Sequence, residues 1–342
     1  MRRARAAAIL ALAAGGALFY LVSSRWSPRG ERFVDIPKGA STPEIAVRLG
    51  AAGVVRQSWL FLAARALRPR AKLQAGEYRF ASPASPLEVL DRLARGDVFY
   101  YQLSVPEGHS SFDIAASLES LEIMDPREFL RAVRDPSLIR DLAPEAPSLE
   151  GYLFPDTYRL TRHTSPEELC RMLTRRFRAA WKELGAPAGA HRTVTLASLI
   201  EKETAVAEER PLIASVYGNR LKIGVKLDCD PTTVYAAQLE GRYRGVIHRS
   251  DLDRSHPYNT YRRAGLPPGP IANPGLASLR AALEPAQSDF LYFVARPDGS
   301  GRHQFSRNLA AHEAAASRYR RAQNHQKAAP ARVSRRQKTG RR

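Results

Sequence analysis

Nineteen consecutive residues without a charge, Ala6–Ser24 ("AAAILALAAGGALFYLVSS"), decide where the rest of this chain can fold. As a helix rising 1.5 Å per residue they span roughly 28 Å, about the thickness of bilayer hydrocarbon. Arg2, Arg3 and Arg5 precede the run, and less positive charge follows it directly. That asymmetry predicts a cytoplasmic segment 1–5, a single transmembrane helix 6–24, and export of everything from about Arg25. A cleaved signal peptide is the competing reading, and no A-x-A site follows Val22.

With 342 residues, 44% of them hydrophobic, the chain can bury at least one sizeable core. A net charge of +19 suggests a nucleic-acid partner until it is located. Ten Lys/Arg and no acid lie in residues 318–342, and five Lys/Arg and no acid in residues 1–30, so only +4 belongs to residues 31–317. The folded part is mildly basic, no nucleic acid is expected, and residues 321–342 read as a basic disordered tail. Its possible contacts are anionic headgroups or acidic wall polymers. Cys170 and Cys229, the two cysteines, could pair in an exported chain, but a small buried apolar role is the simpler reading. No metal-ligand spacing appears, and no cofactor is expected.

One internal repeat stands out. "FVDIPKGASTPEIAVRL" (Phe33–Leu49) and "QLSVPEGHSSFDIAASL" (Gln102–Leu118) match at an offset of 69, aligning Pro37 with Pro106 and Gly39 with Gly108. Each copy predicts a short strand, a Pro-x-Gly turn, a Ser/Thr cap and an amphipathic helix. Residues 32–100 read as a small strand/helix module and 101–320 as a larger domain with its motif core at 148–308. Residues 120–148 read as a connector, and "SLEGYLFPDTYRL" (Ser148–Leu160) as aromatic strands around a turn at Pro155-Asp156. Helices and strands segregate more than they alternate, so the class is α+β.

The chemistry concentrates between Thr195 and Gly275. On a helix capped by Thr195, Glu201 shares a face with Ala197, Ser198 and Thr204, whereas Glu203 turns about 200° away toward Lys202, Arg210 and solvent. A carboxyl held among small and apolar neighbours is raised in pKa, as a general acid near neutral pH requires. The bland alternative is a salt bridge from Glu201 to an arginine on a neighbouring helix, such as Arg220. Asp230, before Pro231, reads as a helix N-cap or as a binding residue. "HPYNTYRRAGLPPGP" (His256–Pro270) places Tyr258, Asn259, Thr260 and Tyr261 on one loop ahead of a stiff Pro/Gly segment, either a ligand-reading loop or a solvated turn.

Together "LEGYLFPDTY", "ASLIEKETAVAEE", "SVYGNRL", "DPTTVYA", "YNTY" and "GLPPGPIANPG" resemble the motifs of the MltG/YceG family of membrane-anchored endolytic murein transglycosylases, over roughly Arg32 to Arg320. The resemblance implies a single-pass inner-membrane anchor with the catalytic domain on the periplasmic side, a LysM-like module at 32–100, cleavage of the MurNAc–GlcNAc bond of nascent peptidoglycan, and cell-wall synthases as possible partners. It implies Glu201 as the catalytic acid, with Tyr258, Asn259, Tyr261 and Asp230 in the same cleft. The cysteine in "LDCDP" and the basic tail depart from the family pattern.

One carboxyl suffices for such a reaction, because the C6 hydroxyl of MurNAc is a nucleophile already tethered to the substrate. Other acids in the region (Glu208, Asp228, Asp230, Asp251, Asp253) keep open a hydrolytic muramidase with two carboxylates. A non-catalytic glycan-binding scaffold of the wall machinery is the alternative outside enzymes. A pyridoxal phosphate enzyme fits poorly, since an export segment precedes the fold and no lysine stands out as a Schiff-base candidate.

Overall fold

The computed structural model describes residues 2–28 and 30–328. Its elements are α1 (Arg2–Ser23), β1 (Arg32–Ile36), α2 (Thr42–Ala51), α3 (Ser58–Leu67), β2 (Gly76–Phe80), α4 (Pro86–Arg95), β3 (Tyr101–Val105), α5 (Ser111–Ser120), α6 (Pro126–Val133), β4 (Asp156–Leu160) and α7 (Pro166–Glu183). They continue with α8 (Ala190–Glu203), α9 (Arg210–Lys222), α10 (Asp230–Leu239), α11 (Arg249–Asp253), α12 (Leu276–Leu283), β5 (Tyr292–Ala295), β6 (His303–Ser306) and α13 (Leu309–Ala328). Helix and strand are mixed, with helix predominant. The chain divides into two compact units, Met1–Gln102 with Arg159–His163, and Leu103–Tyr158 with Thr164–Arg342.

The sequence repeat is a structural one. Shifting β1 and α2 by the offset of 69 lands on β3 and α5 end for end. The Pro-x-Gly turn needs its glycine, since Gly39 and Gly108 sit at φ +84° and +76°, where a side chain would be strained. Ser41 caps α2 by accepting from the Glu44 N–H, and Ser110 caps α5 in a reciprocal box with Asp113. Each copy continues into a second helix and a returning strand, β1-α2-α3-β2 and β3-α5-α6-β4, with β1 paired to β2 and β3 to β4.

In the first unit the antiparallel register sets Val34 opposite Tyr78. Alternation sends Val34, Ile36, Tyr78 and Phe80 inward, onto Leu49, Phe61 and Leu90 from the helices. Glu77 is the exception on that sheet, a buried carboxylate compensated by Arg162 at 3.0 Å. Arg162 also lies 4.1 Å over the Phe33 ring. The returning residues 159–163 are therefore structural members of this unit.

The second unit is built around α8, whose Val194, Thr195, Ala197, Ser198, Leu199 and Ile200 are all buried. Its middle, from Val194 to Ile200, has no exposed residue, and only Arg192 and Lys202 toward its ends reach solvent. This corrects the expectation of an amphipathic helix capped by Thr195: the helix starts a turn and a half earlier, at Ala190, and Thr195 lies in its interior. α9, α10 and α12 pack around it. Three further expectations change. The stretch 120–148 is not a loose connector, because Phe129, Val133 and Ile139 are buried in this unit. Pro155-Asp156 does not join two strands; Tyr152, Leu153 and Phe154 form a buried irregular segment that leads into β4. α13 runs on to Ala328, so residues 321–328 of the expected disordered tail are helical, while 329–342 lie outside the described residues. β5 and β6 pair antiparallel as a hairpin.

Candidate active site

The last turn of α8 sends Glu201 and Glu203 in opposite directions, as their spacing requires, but their surroundings are the reverse of those expected. Glu201 accepts from Arg210 Nη2 at 3.1 Å and from the Gly275 N–H at 2.9 Å. Its side chain is 5% exposed. Beside it, Glu107 lies 3.8 Å from the same guanidinium, and Lys202 donates to the Gly108 carbonyl at 3.2 Å. The small and apolar setting expected for the Glu201 carboxyl is thus replaced by a cation and a backbone amide. α9 begins only nine positions later and brings its first residue back onto the acid. An arginine does pair with Glu201, but it is Arg210; Arg220 is spent on the Leu227 and Leu291 carbonyls and on Asp228.

Glu203, expected on the solvated side, instead forms part of the wall of a cavity of about 390 Å³ with Arg220, Asp228, Asp230, Tyr261 and Tyr292. Its Oε1 accepts from the Tyr217 hydroxyl at 2.7 Å and from the Cys229 thiol at 3.1 Å. Burial pushes its pKa up, opposed by those two donors and reinforced by the nearby Asp230 charge. Both cysteines are free and buried, and the Cys229 thiol is itself pushed well up by burial, which leaves it an inert donor.

The remaining sequence-predicted residues separate. Asp230 opens α10 one position inside the cap, which is Cys229, and accepts from the Tyr261 hydroxyl at 2.6 Å; both residues face the Glu203 cavity. Asn259 is 1% exposed, and its amide donates to the Leu252 and Arg254 carbonyls while its oxygen takes the Tyr261 N–H, so it shapes the loop from within. Tyr258 is buried with its ring 5.0 Å from that of Tyr235, in the core beside α8. Thr260 accepts the Cys229 N–H at 3.0 Å and ties the loop to the start of α10. Of the four polar residues in "YNTY", only Tyr261 reaches the cavity.

Glu150 was not singled out from the sequence, although an acid inside the aromatic run "LEGYLF" is a legible signal. It is 1% exposed and receives the Ser111 N–H and hydroxyl, the Asn273 amide and the Tyr235 hydroxyl. Burial outweighs those donors and raises its pKa to about 7. Asn273 in turn accepts the Gly151 and Leu153 N–H groups, locking the Pro/Gly loop to the aromatic segment. A raised native pKa means that the unfolded chain loses its proton first, so this carboxyl should progressively lower stability from about pH 4.5 to 7, by on the order of 3 kcal/mol at the plateau. Denaturant melts at pH 5 and 7.5 should show that loss in the parent chain and a flatter dependence in Glu150→Gln.

Among the described residues, no group of three or more His, Cys, Asp or Glu is placed to hold a metal ion. A cavity-wall carboxyl raised in pKa by burial, with hydroxyl groups and a second acid nearby, is equipped to give and retake a proton, the chemistry of an acid/base enzyme. The chain belongs to the YceG-like family, whose profile matches residues 34–318. It is 32% identical over 309 residues to the endolytic murein transglycosylase of Bacillus subtilis, covering 84% of each chain. With the endolytic murein transglycosylase of Streptococcus pneumoniae serotype 2 it shares 30% identity over 295 residues, 77% of this chain and 54% of that longer one. A crystal structure of a YceG-like protein from Listeria monocytogenes superposes with a TM-score of 0.54 at 29% identity, over 84% of this chain and 99% of that one.

Proposed function

We propose that this protein is an endolytic murein transglycosylase that cleaves the MurNAc–GlcNAc bond of peptidoglycan strands with Glu203 as its acid and base. The observation that carries the assignment is Glu203's place on the wall of the cavity with a carboxyl raised by burial, in contrast to Glu201, which is held by Arg210 and Gly275.

The protonated Glu203 gives its proton to the bridging oxygen as the bond from that oxygen to C1 of MurNAc breaks, releasing GlcNAc with a free hydroxyl. The carboxylate then takes the proton of the MurNAc C6 hydroxyl while O6 bonds to C1, which closes a 1,6-anhydro ring and restores the acid. No water is consumed. Tyr261 and Asp230 are placed to hold the sugar or its developing positive charge. Tyr258 and Asn259 support the loop that presents Tyr261, in place of the direct contacts expected for them.

Asp228 and Asp230 in the same cavity favour one second reading, a muramidase that activates water with another carboxylate. The products decide between them. Mass analysis of glycan ends after digestion of uncrosslinked strands should give ends lighter by one water than reducing ends; reducing ends alone would establish the hydrolase.

The βααβ repeat supports a LysM-like glycan-binding role for residues 32–100. Helix α1, long and apolar enough to cross a bilayer and preceded by Arg2, Arg3 and Arg5, supports a single-pass anchor with the enzyme on the periplasmic side. That placement would bring the enzyme to nascent strands and to the synthases that make them.

A further inference from the structure

A short apolar stripe on α3 is exposed among the described residues. Helix α3 buries Leu60, Phe61 and Ala64 and packs Ala63 against the same core, yet Trp59 at 49% and Leu62 at 38% are exposed, with exposed Ala66 one turn beyond Leu62. Arg68, Arg70 and Lys72 follow within one short turn, Arg68 being paired with Asp91. An exposed tryptophan and leucine flanked by cations make a surface suited to the boundary between headgroups and acyl chains.

The same unit shows where a bilayer would lie. α1 packs against α3 and α4. Its Val22 is fully buried in the unit's core, while Ile9, Leu10, Leu12 and Phe19 are exposed. Beyond its end, Trp26 pairs with Ala84 through two backbone hydrogen bonds of 3.0 Å and gives its indole N–H to the Gly53 carbonyl. Arg25 is held by Glu88 at 2.5 Å. The exit of the helix from the unit is therefore rigidly fixed. Arg56 sits 5.9 Å from the Trp26 ring, and Trp59 is three residues further on, so the α3 stripe begins just after a residue that touches the exit of α1.

We infer that the Trp59–Leu62–Ala66 face of α3 lies in the headgroup region of an anionic bilayer, making the first unit a membrane-seated module and not merely a tethered one. This rests on reading α1 as a retained anchor. Single changes on the full chain test the two separately, in vesicles of phosphatidylglycerol and phosphatidylcholine with phospholipids brominated on their acyl chains. Trp181, 2% exposed in the second unit, serves as an internal unquenched reference. In Trp59→Phe, Trp26 reports the anchor; in Trp26→Phe, Trp59 reports the α3 face. Both variants should retain the parent near-ultraviolet circular dichroism. The inference expects strong quenching and a blue shift of Trp59 emission in Trp26→Phe. A quenched Trp26 with an unquenched Trp59 overturns it, keeps the anchor, and leaves the stripe to a protein partner. If neither is quenched, both the inference and the anchor fall.

Discussion

Glu203→Gln is expected to lower the turnover of glycan strands by about 10³-fold while leaving the fold as stable as the parent or slightly more so. Glutamine keeps the shape and can still accept from the Tyr217 hydroxyl, but it has no proton to give. Burial already opposes the charged form of Glu203, so a neutral isostere removes a cost at neutral pH. Loss of activity without loss of stability separates a group used in chemistry from one used in packing. The pH profile adds a second reading. An acid acting in its protonated form loses activity as pH rises through its pKa, and the Tyr217 and Cys229 donors hold that pKa down. Tyr217→Phe should therefore move the alkaline limb upward. Parent-like turnover in Glu203→Gln would remove the residue from the mechanism.

Glu201→Ala is expected to act through stability. It strips a buried guanidinium of its hydrogen-bonded acid and leaves only the half-exposed Glu107 at 3.8 Å: Arg210 is 11% exposed, and its Nε already has no hydrogen-bond acceptor. Uncovering a buried charge costs about 3 kcal/mol, a fall in Tm of roughly 10 °C for a unit of this size. It also frees the Gly275 N–H at the start of α12. Glu201→Gln, which keeps an acceptor and the volume, should lose less. Calorimetry on the full chain measures the drop, and activity should follow the folded fraction. If Glu201→Ala melts like the parent yet abolishes turnover, the roles given to the two acids exchange.

The two carboxyls also mark where reading the sequence stops. Helical spacing correctly turns Glu201 and Glu203 to opposite sides, because that follows from local geometry alone. What waits on each side is set by residues brought from elsewhere: Arg210 and Gly275 for one, Tyr217 and Cys229 for the other. A wheel diagram presumes a wet side, and along most of α8, from Val194 to Ile200, there is none. The repeat was legible for the converse reason, since caps, turn glycines and apolar spacing act within about seventeen residues. The loop of Tyr258 and Asn259 reads as a ligand-reading loop or a solvated turn because it is rich in polar side chains; the burial of both residues depends on α11 and Tyr235, which spacing cannot supply.

The return of Arg159–His163 to the first unit has a consequence for how this protein can be inherited or dismantled. A recombination event that exchanged only the first hundred residues would import a Glu77 carboxylate without the guanidinium that neutralises it. A protease nicking the chain near residue 102 would likewise fail to free an intact amino-terminal piece. The two units are laced by the polypeptide itself, and lineages that replace one must rewrite a short segment of the other.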